Sequence, residues 1–365
     1  AGYYGVAFFR VRKWRRSASS LHESVDAPAP EGGWPGVCVV VPAHNEADVI
    51  GVLAASLRAQ SYDALRVVFA LDRCTDDTER VVREAIDGDD RFEIVTIDAC
   101  PDDWAGKTHA AWSGLTRSGA GPEADLLLFT DADTRFDPSC VRACVAHLLR
   151  HDLQMLSLLS TLTHDRWFEL VVQPLASLEL LRQNPLERVN RREAEQRAFA
   201  NGQFMLFRRG AYEALGGHEA VRDALLEDIA FARKMAKGGV LFTVLPAEGL
   251  LRCRMYRSWA QFTRGWGRIF TEAARRRPRH LMKFARKTLL AGVAAPLASI
   301  GAIGAGLASI GWATWVAIAC GAAGLLAWAV TKGAIYRAQR APLWALPAAP
   351  VGAVLTAWIL WRAGR

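Results

Sequence analysis

The sequence predicts an α/β domain built on a parallel, helix-covered sheet and followed by membrane-spanning helices. Three observations point there. Short apolar β-rich runs alternate with helical patterns through the first third of the chain, two of those runs end in clustered acids, and the C-terminal stretch is apolar over lengths suited to a bilayer. With 365 residues the chain exceeds one ordinary domain, and its hydrophobic fraction of 51% sits near the top of the globular range.

Residues 1–36 precede the domain. Ala1–Phe9 is apolar and Arg10–Arg16 basic; nine residues cannot span a bilayer, so the segment reads as the stump of a longer anchor or as a frayed terminus. A Pro/Gly-rich stretch, Ala27–Gly36, then leads into "VCVVVPAHNE", where the compact domain (37–270) begins. Strands are expected at Val37–Val41, Leu65–Leu71, Phe92–Ile97 and Leu126–Thr130, with helices at Ala47–Gln60, Asp77–Ile86 and Thr108–Ser118. Ligands of such a sheet sit at the carboxyl ends of its strands.

The stretch "LLLFTDADTRFDP" places Asp131 and Asp133 just past a strand end. Like charges that close repel unless a cation or a donor array lies between them, and a divalent metal is the natural occupant. "VVVPAHNEADVI" opens a helix with His44, Asn45 and Glu46, while "VVFALDRCTDDTERV" ends a strand in Asp72 and caps a helix with Thr75 and Asp76. "DDWAGKTHAAWSG" sets Gly106 and Lys107 at a helix start, where a lysine and free N–H groups suit a phosphate. Each feature alone fits an ordinary cap, turn or solvated lysine; their joint placement at strand ends and helix starts points to a ligand site.

In order and spacing, "VVVPAHNE", "LDRCTDDT", "AGKTHAA", "TDADT", "NGQFMLFRRGAYEALGGH", "LLEDIAFARKM" and "QFTRGWGR" resemble the family 2 glycosyltransferases of GT-A fold. "GQFMLFRRGAYEALGGH" and the trailing apolar spans are most similar to membrane-bound members that glycosylate lipids, the hopanoid-associated and carotenoid-acid enzymes. The resemblance implies an open mixed sheet with helices on both faces, and it assigns roles by position. Ala43, Glu46 and Asp72 become nucleotide contacts, Asp131 lies near the ribose and the metal, and Asp133 is the principal ligand of Mn2+ or Mg2+. Lys107 adds positive charge near the diphosphate, Asn201, Gly202 and Gln203 form a turn beside the sugar, and Asp228 is the general base, with the adjacent Glu227 as its rival. Arg264, Trp266 and Arg268 are expected to close over the diphosphate.

Departures from the family pattern narrow the activity. Leu71-Asp72 stands where two acids are usual, and the Q-x-x-R-W of processive enzymes is here Gln261, Arg264 and Gly265, with Trp266 one place late. Together with the few spans, this favours transfer of one sugar from a nucleotide-diphosphate sugar, expected to be a UDP-sugar, to a terpenoid, carotenoid or sphingolipid-like acceptor. The alternatives are a polyprenyl-phosphate sugar synthase, a polysaccharide synthase, and an inactive nucleotide-sugar-binding scaffold.

After a basic juxtamembrane stretch (271–287), residues 288–365 read as about three spans, since Thr288–Val330 and Ala341–Trp361 contain no charged residue. Arg275, Arg276, Arg277, Arg279, Lys283, Arg286 and Lys287 precede the first span, and Lys332, Arg337 and Arg340 separate the second from the third. The presumed turn at Ser309–Thr314 has no basic residue, which orients the catalytic domain to the cytoplasm, in a bacterial plasma membrane. Gly301, Ala302, Gly304, Ala305 and Gly306 suit close packing between spans. An amphipathic segment, Arg166–Arg192, reads equally as an interfacial helix or a core helix. The net charge of +8 lies mostly beside the spans, so anionic lipids and not nucleic acid are the expected partner. Seven cysteines without a C-x-x-C pair are expected to be reduced.

Overall fold

The run that opens the domain becomes β1 (Val37–Ala43), buried at every position. The computed structural model describes residues 20–183, 186–190, 198–274, 276–308 and 311–365; Ala1–Arg16, Arg275, part of the Ser309–Thr314 turn and part of the Arg166–Arg192 segment lie outside the described residues. β2 (Leu65–Asp72), β3 (Phe92–Ile97) and β4 (Leu126–Phe129) follow, with β1 parallel to β2 and β4, and β2 parallel to β3. Helices Ile50–Arg58, Thr78–Ile86 and Gly106–Arg117 make the crossovers. All four expected strands and all three helices are present. Their runs are apolar without alternation because helices cover both faces of the sheet. Gly114 lets the third helix approach closely: a Cβ there would stand 2.8 Å from Ala70 Cβ and 3.0 Å from Val40 Cγ1.

The remaining strands are β5 (Thr134–Phe136), β6 (Met155–Leu159), β7 (Thr161–Leu162), β8 (Met205–Arg208), β9 (Phe242–Pro246) and β10 (Leu251–Cys253). The main sheet has seven strands in the order β3-β2-β1-β4-β8-β6-β9, and it is mixed because β8 runs antiparallel to β4 and β6. A three-stranded sheet, β5-β10-β7, hangs from the strand that follows Asp133. Its strands are two or three residues long, too short to carry a periodic signal.

These sheets belong to one compact unit, residues 20–162, 188–190 and 198–254. The second unit is helical. It contains Trp167–Val171, Gln173–Gln183 and Trp259–Ala273. It also contains three helices long and apolar enough to cross a membrane: Pro278–Leu307, Trp312–Ala338 and Leu343–Ala363. Large apolar side chains point outward along them, with Leu307 73%, Trp312 80% and Trp315 74% exposed. Of the glycines expected to pack between the first two, Gly306 does so, joined by Gly321 and Gly324. Gly301 and Gly304 have nothing near a would-be Cβ, whereas Gly306 faces Ile318 at 2.7 Å and Gly321 and Gly324 face Ser299. All seven cysteines are free.

Candidate active site

The loops after β1 and β2 lock onto each other. His44 Nδ1 lies 2.6 Å from the Asp72 carbonyl, and Asn45, at φ 56°, accepts the Thr75 N–H at 2.8 Å. Glu46 N–H donates to Thr78 Oγ1 and Ala47 N–H to Asp76 Oδ2. Those donors are therefore spent between the loops, and the helix starts at Ile50, not at Ala47. The cap position of the next helix is Asp77, whose side chain makes no capping bond, and not Thr75 or Asp76; Asp76, one residue before it, accepts the Thr78 N–H at 3.0 Å. Ala43 is buried at the end of β1. The buried Asp72 carboxylate grips Arg73 through Nε at 2.8 Å and Nη2 at 2.7 Å, a pairing that sequence reasoning missed. Gly106 packs on that pair, its would-be Cβ 3.2 Å from Arg73 Nη2.

Lys107 does not stand alone at its helix start. Its Nζ is 2.6 Å from Asp131 Oδ1 and 2.6 Å from Glu227 Oε1. The next residue, Asp228, accepts the Gly202 N–H on Oδ2 at 2.8 Å and the Ile229 N–H on Oδ1 at 2.6 Å. Thus β4, the helix Gly106–Arg117, the Asn201–Gln203 turn and the start of the helix Glu227–Lys237 converge on one cluster. A Cβ on Gly202 would stand 3.1 Å from both Glu227 Oε1 and Lys107 Nζ and 3.4 Å from Asp228 Oδ2. Gly202→Val is expected to displace this pair and cut any catalysis at this site about 10²-fold, with the far-ultraviolet circular dichroism unchanged; full activity in the variant would contradict this geometry.

The two adjacent acids titrate in opposite directions. Burial, reinforced by the charge of Glu227, pushes the Asp228 carboxyl up to about 7. Burial also acts on Glu227, but the Lys107 ammonium outweighs it and holds that carboxyl below its usual range. Burial likewise opposes the charge on Lys107, and the attraction of Asp131 and Glu227 wins, raising its pKa. Burial and then Asp131 push Asp133 up to about 7, with Glu46 adding to the negative potential. Asp133 Oδ1 is buried and has no partner among the described residues.

Asn201 and Gln203 use their side chains to hold the turn. Asn201 donates from Nδ2 to the Leu158 carbonyl at 2.7 Å and to Gln203 Oε1 at 3.1 Å, and Ser160 donates its hydroxyl to the same Oε1. Gln203 Nε2 donates to Cys253 Sγ at 3.0 Å. Cys253 also went unnoticed in the sequence, because only the short β10 brings it here.

Arg264, Trp266 and Arg268 lie in the helical unit. The two arginines are exposed one turn apart, and Trp266 faces the other way, buried between Phe262 and Phe270 with ring centroids 6.1 and 5.4 Å away. Gly265 replaces the expected tryptophan for a steric reason: a Cβ there would run into the Tyr256 ring.

Residues 35–281 match the family described as Glycosyltransferase like family 2. The 4,4'-diaponeurosporenoate glycosyltransferase of Staphylococcus aureus (strain USA300) is 25% identical over 242 residues, which are 65% of this chain and 61% of that protein. Among solved structures, the mannosyltransferase PcManGT from Pyrobaculum calidifontis, in complex with GDP-Man and Mn2+, shares the fold with a TM-score of 0.51 at 20% identity, covering 98% of this chain and 95% of that one.

Proposed function

This chain belongs to glycosyltransferase like family 2 and has the GT-A fold, and we propose that it moves a single sugar from a nucleotide-diphosphate sugar to a lipid hydroxyl, with inversion at the anomeric carbon. The observation that carries this reading is Asp228, a carboxylate with a pKa near 7 whose two oxygens are each oriented by a backbone N–H. A hydroxyl is a weak nucleophile, and a carboxylate of that pKa takes its proton as the bond to the anomeric carbon forms. One base and one displacement give inversion. Glu227 is committed to Lys107 and so serves to fix the lysine between two acids.

Asp131, Asp133 and Glu46 make the donor side strongly negative, and the orphaned Asp133 Oδ1 suits a divalent cation. Asp133 and Asp131 would hold Mn2+ or Mg2+ in this reading; among the described residues no three His, Cys, Asp or Glu side chains cluster as ligands. When bound, such an ion neutralises charge growing on the leaving diphosphate. The donor is a UDP-sugar in our reading, and the GDP-Man of the Pyrobaculum enzyme makes a GDP-sugar the alternative.

The acceptor is lipid in our reading because the Staphylococcus relative is named for a carotenoid acid, which offers a carboxylate where we propose a hydroxyl, and because the three apolar helices expose Leu and Trp side chains that water does not tolerate in such number. Trp358 and Trp361, each beneath an arginine, suit the interface level of a bilayer. The basic residues just before and in the first turns of the first helix, which starts at Pro278 and not at Thr288, favour anionic lipid and a cytoplasmic catalytic face. The chain is accordingly expected to stay in the membrane pellet through an alkaline carbonate wash and to need detergent for release; appearance in the wash supernatant would remove the membrane assignment.

The deciding assay presents membranes containing the chain with radiolabelled UDP- and GDP-sugars, with Mn2+ or EDTA, and counts label in organic-extractable lipid. Metal-dependent label from one donor, with the anomeric configuration inverted in the product, is expected. No label from any donor would end the proposal.

A further inference from the structure

We infer that Arg73, held in place by Asp72, reads the base of the donor nucleotide, and that its edge of N–H donors selects a base with a carbonyl there, uracil or guanine, over cytosine or adenine. This rests on reading the chain as a nucleotide-sugar transferase and deepens that reading at the donor.

The strand register puts Arg73 on the base side of the crevice. β1 lies between β2 and β4, with Ala43 opposite Leu71 and Val40 opposite Phe129. The strand order reverses beside β1, so a ligand binds across the carboxyl ends of these strands. β2 ends in Asp72 and Arg73 follows it; β4 ends in Phe129, two residues before Asp131. Two strand spacings, about 10 Å, separate the two sides. A nucleotide whose diphosphate lies beside Asp131 and Lys107 crosses that gap with its ribose and brings its base to Arg73.

Arg73 is fixed there. Its backbone takes φ 48°, its N–H donates to the Ile97 carbonyl at 2.8 Å, and its guanidinium closes on both oxygens of Asp72. The Asp72 side chain is 5% exposed and that of Arg73 44%, so the carboxylate is the inner half of the pair and the guanidinium the outer half. A guanidinium has five N–H donors and no acceptor. Two are given to Asp72, and the other three meet no partner among the described residues. Groups nearby are turned into the loops: Asp76 accepts from Thr78 and Ala47, Asn45 Oδ1 from Thr75, and His44 Nδ1 faces the Asp72 carbonyl. What this edge offers a base is a rigid fork of donors.

Such a fork discriminates by the sense of the hydrogen bond. Uracil offers O4 and guanine O6 with N7, all acceptors, whereas cytosine and adenine carry an amino group in place of the carbonyl. An amino group set against the guanidinium leaves donor facing donor, and an unmade bond to a charged group weakens binding. Lysine would keep the charge and lose the planar fork.

The test is equilibrium binding of UDP, CDP, GDP and ADP, with Mn2+, to the chain in detergent by titration calorimetry. Wild type, Arg73→Lys, Arg73→Ala and Asp72→Asn are compared, with melting temperatures alongside. Wild type is expected to bind the carbonyl member of one pair, UDP over CDP or GDP over ADP, about 10-fold or more tightly, and the pair that binds identifies the base. Both Arg73 variants should lose that preference by weaker binding of the carbonyl nucleotide, with Arg73→Lys carrying the comparison if Arg73→Ala does not fold. Asp72→Asn, which keeps the arginine and loosens its fork, should lose part of it; an undiminished preference would overturn the role given to Asp72. A preference retained in both Arg73 variants would overturn the inference and leave the donor reading standing. So would an equal weakening of all four nucleotides, the mark of a contact to ribose or phosphate, or a wild type that binds CDP or ADP as tightly as its counterpart. Failure of wild type to bind any nucleotide would remove the donor reading and this inference with it.

Discussion

Asp228→Asn is expected, on the proposed function, to lower transfer into lipid by about 10²- to 10⁴-fold, the range that a positioned general base contributes. The amide keeps the size of the carboxylate and can still accept from Gly202 or Ile229, so donor binding, followed by protection of the melting temperature with nucleotide sugar, should change little. The wild-type pH profile supplies an independent check. Burial and Glu227 raise Asp228 to about 7, and only the ionised form accepts a proton. Hence kcat/KM should fall as the pH drops below about 7 and level off above it. A profile flat from pH 5 to 8 would point to an acceptor that arrives already ionised, a lipid phosphate or carboxylate, and Asp228→Asn would then retain most activity. Glu227→Gln gives a contrasting result, because it strips Lys107 of one of two carboxylate partners and should act through donor binding, raising KM more than it lowers kcat.

Asp133→Asn is expected, on the proposed function, to remove the response to divalent metal. The asparagine offers a neutral oxygen in place of a charged one next to Asp131 and Glu46, and loss of the neutralised leaving group is worth several kcal/mol, about 10²-fold or more in rate. EDTA should imitate the mutation in the wild type, and added Mn2+ should reverse EDTA but not the mutation. Stimulation of Asp133→Asn by Mn2+ to the wild-type level would place the cation elsewhere. Asp131→Asn is expected to differ in kind: Asp131 is engaged with Lys107, so its loss disturbs the Lys107–Glu227 arrangement as well as the metal side.

Much of the scaffold was legible because it depends on local pattern. Four apolar runs and three amphipathic segments declare a covered parallel sheet through hydrophobic periodicity alone, and the spans declare themselves through the absence of charge. The order of strand ends also put His44, Asp72, Lys107 and Asp131 near one edge before any contact was known. What the chain order cannot express is direction. Glu227 and Asp228 are neighbours in the first turn of a helix, about 100° apart around its axis, so one meets Lys107 and the other meets Gly202. That rotation, and no compositional difference, separates a carboxylate held low by a cation from one raised by burial.

The same holds for groups that tertiary pairing alone brings in. Arg73 and Cys253 carry no motif; one becomes the partner of Asp72 through the left-handed turn at φ 48°, the other reaches Gln203 through a three-residue strand. Trp266 is the reverse case, a residue with a family role by position that packing between Phe262 and Phe270 turns inward. Periodicity and strand-end acids thus determine the sheet, the spans and the edge where chemistry occurs, because each is set by residues close in sequence. Which carboxylate is basic and which oxygen is left without a partner are decided by burial and by contacts across the fold, quantities that exist only once the chain is packed.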